Sequence, residues 1–405
     1  ARENFATLIN SGYLYIDKTD HLREFLGESV NTNQNNSDTD DSKSKVMLFT
    51  RPRRFGKTLT MSMIENFFQL DFKNPGDSTR AQQLFSKLNI YQDTDFCKRH
   101  MAQYPVISLT LKSVEGQSFF EALSELATII HNVFKKFSFL SDNTRLTRED
   151  RQSLHNIQEF FRPENQSWLD DSFRIKALTL IKNSLSSLTA LLNSAYGRKA
   201  IVLIDEYDVP LQKARLYGYY DEMLGVIRGM FGNCFKTNDA LLMGVITGCL
   251  RISHESIFTG VNNFTVFSVF DRKFSDFIGF TQGEVHNLLG DQGLSLYEKE
   301  VALWYDGYNF SGISILCPWS VLNFCSQKPD LNGRYHPQNY WAGSSGDIGN
   351  DIIEICLKRR SQKESERLQN LITGGHELIA FPEFSTYPEI NPEINTPGNF
   401  DLLLS

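Results

Sequence analysis

Val46-Met47-Leu48-Phe49-Thr50, followed by Arg51-Pro52-Arg53-Arg54-Phe55-Gly56-Lys57-Thr58, is the stretch that decides how this 405-residue chain is read. A short apolar run ends in a turn rich in positive charge. Leu59, Met63, Ile64, Phe67, Phe68 and Leu70 then recur at helical spacing. A strand, a turn carrying Gly-Lys-Thr and a helix are the context a phosphate-binding loop requires. Backbone N–H groups at a helix start lack intrahelical partners and carry the positive end of the dipole, so they attract phosphate oxygens. In that reading residues Arg53, Arg54, Phe55, Gly56, Lys57 and Thr58 form the cradle. Gly56 lets the backbone approach closely, Lys57 reaches the β- and γ-phosphates, and the Thr58 hydroxyl ligates Mg²⁺. The full pattern asks for glycine five residues before Gly56, where Arg51 stands, and Pro52 removes one N–H donor. Gly-Lys-Ser/Thr alone arises by chance in roughly one chain in five of this size, so a partner motif is needed.

Ala200-Ile201-Val202-Leu203-Ile204 supplies one. A continuous apolar run suits a strand covered on both faces of a parallel sheet. It ends in Asp205-Glu206-Tyr207-Asp208. The first acid would hold the metal and the second would act as general base. The plain alternative is an acidic strand end. A further buried strand, Leu241 to Gly248, brings Thr247 to its tip. There Thr247 touches the attacking water if this strand lies between the other two. Arg251 either reaches the γ-phosphate from the same chain or pairs with a surface acid. Arg53 and Arg54 meet phosphate or a nucleic-acid backbone, or form salt bridges within the fold.

Hydrophobic residues at 41% and charged residues at 22% describe an ordinary globular protein. The net charge of −7 excludes a uniformly basic nucleic-acid coat. Local basic spots remain at Arg51, Arg53 and Arg54 and at Lys358, Arg359 and Arg360, supporting at most weak, salt-sensitive nucleic-acid binding. Six scattered cysteines without a Cys-x-x-Cys pair predict free thiols and no zinc site. No apolar run approaches the ~18 residues of a membrane span, and the N-terminus does not read as a signal peptide, so the expected setting is cytoplasmic with no membrane partner. The missing initiator Met and the terminal Leu402-Leu403-Leu404 suggest that the chain continues at both ends.

Residues 31–45 carry no apolar side chain and read as a mobile loop. Pro105 to Leu111 reads as a strand, and Phe119 to Phe137, Phe173 to Leu192 and Tyr219 to Phe235 as helices. Asp17, Thr19 or Asp20 caps a short helix or flanks a nucleotide base. Buried strands alternating with helices indicate an α/β layer fold. The expected domains are a core over 1–275 with a helical insert at 112–197, a smaller, mainly helical, lid-like part over 276–372, and a Pro-rich tail over 373–405.

Tyr15-Ile-Asp-Lys-Thr19, Thr50-Arg-Pro-Arg-Arg-Phe-Gly-Lys-Thr58, Leu203-Ile-Asp-Glu-Tyr-Asp208, Thr247-Gly-Cys-Leu-Arg-Ile-Ser253 and Tyr305-Asp-Gly-Tyr308 with Pro318-Trp319-Ser320 resemble the predicted AAA-ATPase-like family. The resemblance covers nearly all of residues 1–360. It implies an α/β P-loop NTPase fold with a parallel sheet of order 5-1-4-3-2. It implies ATP and Mg²⁺ as ligands, Lys57, Thr58, Asp205 and Glu206 in the roles above, Thr247 as a sensor and Arg251 as an arginine finger. A homo-oligomer or a protein partner fits such a module. Members commonly carry a PD-(D/E)XK-type nuclease domain after the ATPase. No nuclease signature is legible before Ser405, so cleavage is not assigned to this chain. The resulting reading is an Mg-dependent ATPase that drives or gates a conformational change; the alternative is a nucleotide-gated switch or scaffold with little turnover.

Overall fold

Five parallel strands carry the molecule: β1 (Val46–Thr50), β2 (Val106–Thr110), β3 (Ala200–Asp205), β4 (Leu241–Gly248) and β5 (Phe264–Phe267). Their order across the sheet is β2-β3-β4-β1-β5, which read from the opposite edge is the expected 5-1-4-3-2. The computed structural model describes residues 3–27, 46–162, 171–249, 257–258, 264–340, 365–367 and 369–370. The loop expected at 31–45 therefore lies outside the described residues, as do the whole tail expected over 373–405 and Arg251.

A parallel strand buried on both faces sends alternate side chains into two cores. Met47, Phe49, Ile201, Leu203, Met243 and Val245 enter one of them. Helices α1 (Phe5–Asn10), α2 (Leu22–Phe25), α3 (Lys57–Phe68), α4 (Thr79–Phe85) and α5 (Thr94–His100) pack there. Val46, Leu48, Ile107, Val202, Ile204 and Ile246 enter the other. Its cover is α6 (Phe119–Lys136), α7 (Arg148–Phe160), α8 (Asp171–Tyr196), α9 (Val209–Tyr217) and α10 (Tyr220–Phe235). The stretch expected as an insert at 112–197 thus supplies most of one helical layer. Among the described residues no helix is long and apolar enough to cross a membrane.

The part expected to be mainly helical also carries a small sheet among its described residues. β6 (Phe280–Thr281), β7 (Tyr308–Phe310) and β8 (Ile313–Leu316) form an antiparallel sheet of order β6-β8-β7. The two-residue loop Ser311-Gly312 joins β7 to β8 with both φ angles positive, 49° and 90°, which matches the twist of a tight hairpin. Helices Gln282–Asp291, Glu298–Tyr305 and Pro318–Cys325 flank the sheet. Val285, Leu289, Val301, Val321 and Phe324 make a small core of its own. Phe310, Ile315 and Cys317, however, join the core that holds Phe49 and Phe55. The boundary expected near residue 275 crosses a shared apolar interior.

Candidate functional site

Ligands of open parallel sheets bind outside the carboxyl ends of the strands, and here the ends of β3, β4 and β1 lie side by side. β4 is the middle of the three, so Thr247 emerges between the Gly56-Lys57-Thr58 turn and the acidic tip. Asp205 is almost fully buried. The Thr58 hydroxyl donates to its Oδ2 at 2.5 Å, although the two residues are 147 positions apart. The Thr247 hydroxyl donates to Oδ1, and the Glu206 N–H donates to the same oxygen at 3.1 Å. The buried Lys57 ammonium donates to the carbonyls of Arg51 and Pro52 at 3.1 and 3.2 Å and to Cys249 Sγ at 3.2 Å. It stands 4.0 Å from Glu206 Oε1.

Burial works against the Lys57 charge, but Cys249, Glu206 and Asp208 around it outweigh burial and hold its pKa above the ordinary lysine value. Burial raises the Glu206 carboxyl, and Asp208 and Asp205 push the same way against Lys57 and Arg53. Burial lifts the Cys249 thiol to about 11 despite the neighbouring Lys57. The site therefore carries one firmly protonated amine among acids.

Two backbone positions shape it. Gly56 caps α3 at φ +97°, and a Cβ there would meet no atom within 4 Å, so the turn is open on that side. Glu206 sits at φ +56°, a left-handed conformation that costs a non-glycine residue about 1–2 kcal/mol. Gly248 packs under the acidic turn: a Cβ would lie 2.5 Å from the Tyr207 ring and 2.8 Å from Asp208 Oδ1. Gly248→Ala is expected to destabilise the fold by about 1–3 kcal/mol through overpacking. Denaturant titration showing an unchanged midpoint would remove Gly248 from this account.

A metal and nucleotide fit this donor set. Among the described residues no three His, Cys, Asp or Glu side chains cluster as a ready-made metal cage. What converges instead is one hydroxyl and one carboxylate, both oxygen donors. Mg²⁺ is commonly held this way, by one or two protein oxygens with phosphates and water completing its octahedron. The first N–H groups of α3 lack intrahelical acceptors, and they open on the same end of the sheet.

Lys57, Thr58, Asp205, Glu206 and Thr247 are brought together as the sequence suggested. Arg53 stands close enough to influence Glu206. Arg54 and Phe55 leave only their backbone to the cradle. Arg54 donates to the Tyr340 carbonyl at 3.1 Å, and the Phe55 ring is buried against Tyr308 and Phe310. Arg51 is no basic spot. It is fully buried and donates to the carbonyls of Thr50, Phe267 and Phe274 at 2.9, 2.8 and 2.7 Å. With both terminal nitrogens engaged by its own fold and its Nε buried without a hydrogen-bond partner among the described residues, the guanidinium is withdrawn from any external phosphate. Arg251, Lys358, Arg359 and Arg360 lie outside the described residues. Asp17 accepts from the Thr19 N–H at 2.9 Å, the bond of an Asx turn, and from the Asn89 N–H at 2.7 Å, while the two short helices over Thr19–His21 and Leu22–Phe25 carry no side-chain cap. Sequence reasoning did not single out Asp208 or Cys249. Asp208 is buried, accepts from the Cys249 N–H at 3.0 Å and continues the acidic run, a usable signal; Cys249 offered none.

The family model described as Predicted AAA-ATPase matches residues 1–258. The chain is 23% identical over 315 residues to "Uncharacterized protein in vnfD 5'region" of Azotobacter chroococcum mcd 1. The aligned part covers 76% of this chain and 48% of that protein, so the chain spans about half the length of this relative. No solved structure matches.

Proposed function

The chain belongs to the predicted AAA-ATPase family, and from that premise we propose that it binds ATP with Mg²⁺ and hydrolyses it at the tips of β1, β3 and β4. The observation that carries the proposal is the 2.5 Å contact between Thr58 and Asp205, with Lys57 and Glu206 beside it. Distant segments meet at one point in the arrangement that a triphosphate and its cation need.

In this reading the N–H groups of the 53–57 turn and the Lys57 amine hold the β- and γ-phosphates. Thr58 and Asp205 are the metal ligands, and Thr247 fixes the orientation of the Asp205 carboxylate. Mg²⁺, when bound, neutralises charge that develops on the phosphate oxygens. Glu206 takes the proton of the attacking water. Lys57 exchanges its present partners, the carbonyls of Arg51 and Pro52 and the Cys249 sulfur, for phosphate oxygens.

Thermal melting tests the proposal directly. Mg-ATP at ~100 times its dissociation constant is expected to add roughly 2.7 kcal/mol of stability. Lys57→Ala is expected to abolish that gain. A wild-type midpoint that ignores Mg-ATP would end the nucleotide reading. The second reading, a nucleotide-gated switch with negligible turnover, draws on the engagement of Arg54 and Phe55 with the C-terminal lobe. It shares the binding prediction and differs only in phosphate release.

A further inference from the structure

A phosphate turn is usually lined with glycine, because only its backbone is needed. Here the turn carries large side chains, and they are gripped from behind. The Phe55 ring, 2% exposed, meets Tyr308 edge-on with centroids 4.8 Å apart and Phe310 at 5.7 Å. Gly279 admits it: a Cβ on that glycine would stand 2.4 Å from Ile315 Cγ2 and 3.1 Å from Phe55 Cδ1. The Arg54 guanidinium lies 5.4 Å from the centre of the Trp319 ring. Trp319 Nε1 and Arg54 Nη1 both donate to the Tyr340 carbonyl, each at 3.1 Å. Arg54 itself is held at φ +69°, a backbone setting disfavoured for a residue of its kind. Three elements of the C-terminal lobe therefore hold two consecutive residues, and those two immediately precede Gly56-Lys57-Thr58.

We infer that Arg54 and Phe55 are positioning residues through which the C-terminal lobe, by Tyr308, Phe310 and Trp319, sets the shape of the phosphate turn. The inference rests on the nucleotide reading above and deepens it. The backbone of the turn answers to phosphate while its side chains answer to the lobe. Occupancy of the site and placement of the lobe then become one linked equilibrium, and linkage makes the influence reciprocal. The departure from a glycine-rich loop is thereby explained: glycine at 54 or 55 would free the turn from the lobe.

The experiment uses the full chain and reads two signals during titration with Mg-ATP: the thermal midpoint and the emission of Trp319. The contribution of Trp319 among the four tryptophans is isolated by subtracting the Trp319→Phe protein. Wild type is expected to show both signals at the same nucleotide concentration. Phe55→Ala is expected to weaken nucleotide binding about tenfold and to uncouple the Trp319 signal, whereas Phe55→Leu, which refills the pocket, restores both. Arg54→Gln, which loses the guanidinium contact with Trp319, is expected to weaken nucleotide binding several-fold and to lose the emission change. A midpoint shift with constant Trp319 emission would overturn the coupling while leaving the nucleotide reading intact. If no shift occurs at all, amide exchange decides the structural part. Phe310→Ala is expected to accelerate exchange at residues 53–57, and unchanged exchange there would overturn the inference. Should Phe310→Ala fail to fold, Tyr308→Leu carries the same readout.

Discussion

Glu206→Gln is expected to lower phosphate release by roughly 10²–10⁴-fold, the usual worth of a positioned general base, while Mg-ATP stays bound. Glutamine keeps the volume and the Lys57-facing oxygen of Glu206 but cannot accept a proton from water. Removing one negative charge beside an anionic ligand does not weaken binding, so the thermal gain from Mg-ATP is expected to persist. The placement of Glu206 supports so large an effect. Its left-handed backbone is retained despite a cost that glycine would avoid, and such strain persists where surrounding structure enforces it, commonly at functional sites. Asp205, one residue earlier, already spends both oxygens on Thr58 and Thr247. Glu206 is the acid of the pair left facing the amine. Single-turnover phosphate release decides the matter. Equal rates for wild type and Glu206→Gln, both measurable, would remove Glu206 from the base role. Equal and negligible rates with intact binding would favour the switch.

What the sequence disclosed and what it hid divide along physical lines. β1, β3 and β4 were legible because a strand covered on both faces must be apolar throughout, and Leu203-Ile204 before Asp205 leaves little else to fit. The pairing of Thr58 with Asp205 followed from two motifs that make sense only together. Helix α7 was hidden in a polar stretch, although the Thr147/Asp150 capping box at its start was a readable signal. The sheet of the C-terminal lobe was hidden because β7 and β8 are too short for alternation to register. The side-chain partners of Arg51, Arg54 and Phe55 were hidden for one common reason. Charge and aromatic character within a phosphate turn suggest contact with ligand, whereas their actual partners come from residues 267–340, far along the chain. No local pattern encodes a contact separated by 216 positions.

Arg51→Gly tests that conclusion most sharply, because it restores the glycine that the common phosphate-loop pattern requests. If Arg51 were a decayed loop position, glycine would be neutral or would improve nucleotide binding. The structure predicts the reverse. The guanidinium joins the end of β1 to the carbonyls of Phe267 and Phe274, and the Phe310 ring centre lies 5.2 Å from it. Burial lowers its pKa to about 10, against the pull of Asp271 and Asp276, so it remains charged at neutral pH. Each hydrogen bond from a charged donor contributes about 1.5–3 kcal/mol, and the substitution removes three. It also leaves buried carbonyls without their donor and opens a cavity where a large side chain stood. Relaxation and water entry recover part of this, so the expected loss is about 3–5 kcal/mol, the range seen when one member of a buried charged contact is deleted. Arg51→Lys is expected to rescue little, since one ammonium cannot span carbonyls that the guanidinium reaches with two nitrogens. Chemical denaturation of both variants gives the answer. An Arg51→Gly protein as stable as wild type, with tighter Mg-ATP binding, would return Arg51 to the phosphate site and dismantle the idea that the fold behind the turn holds it in shape.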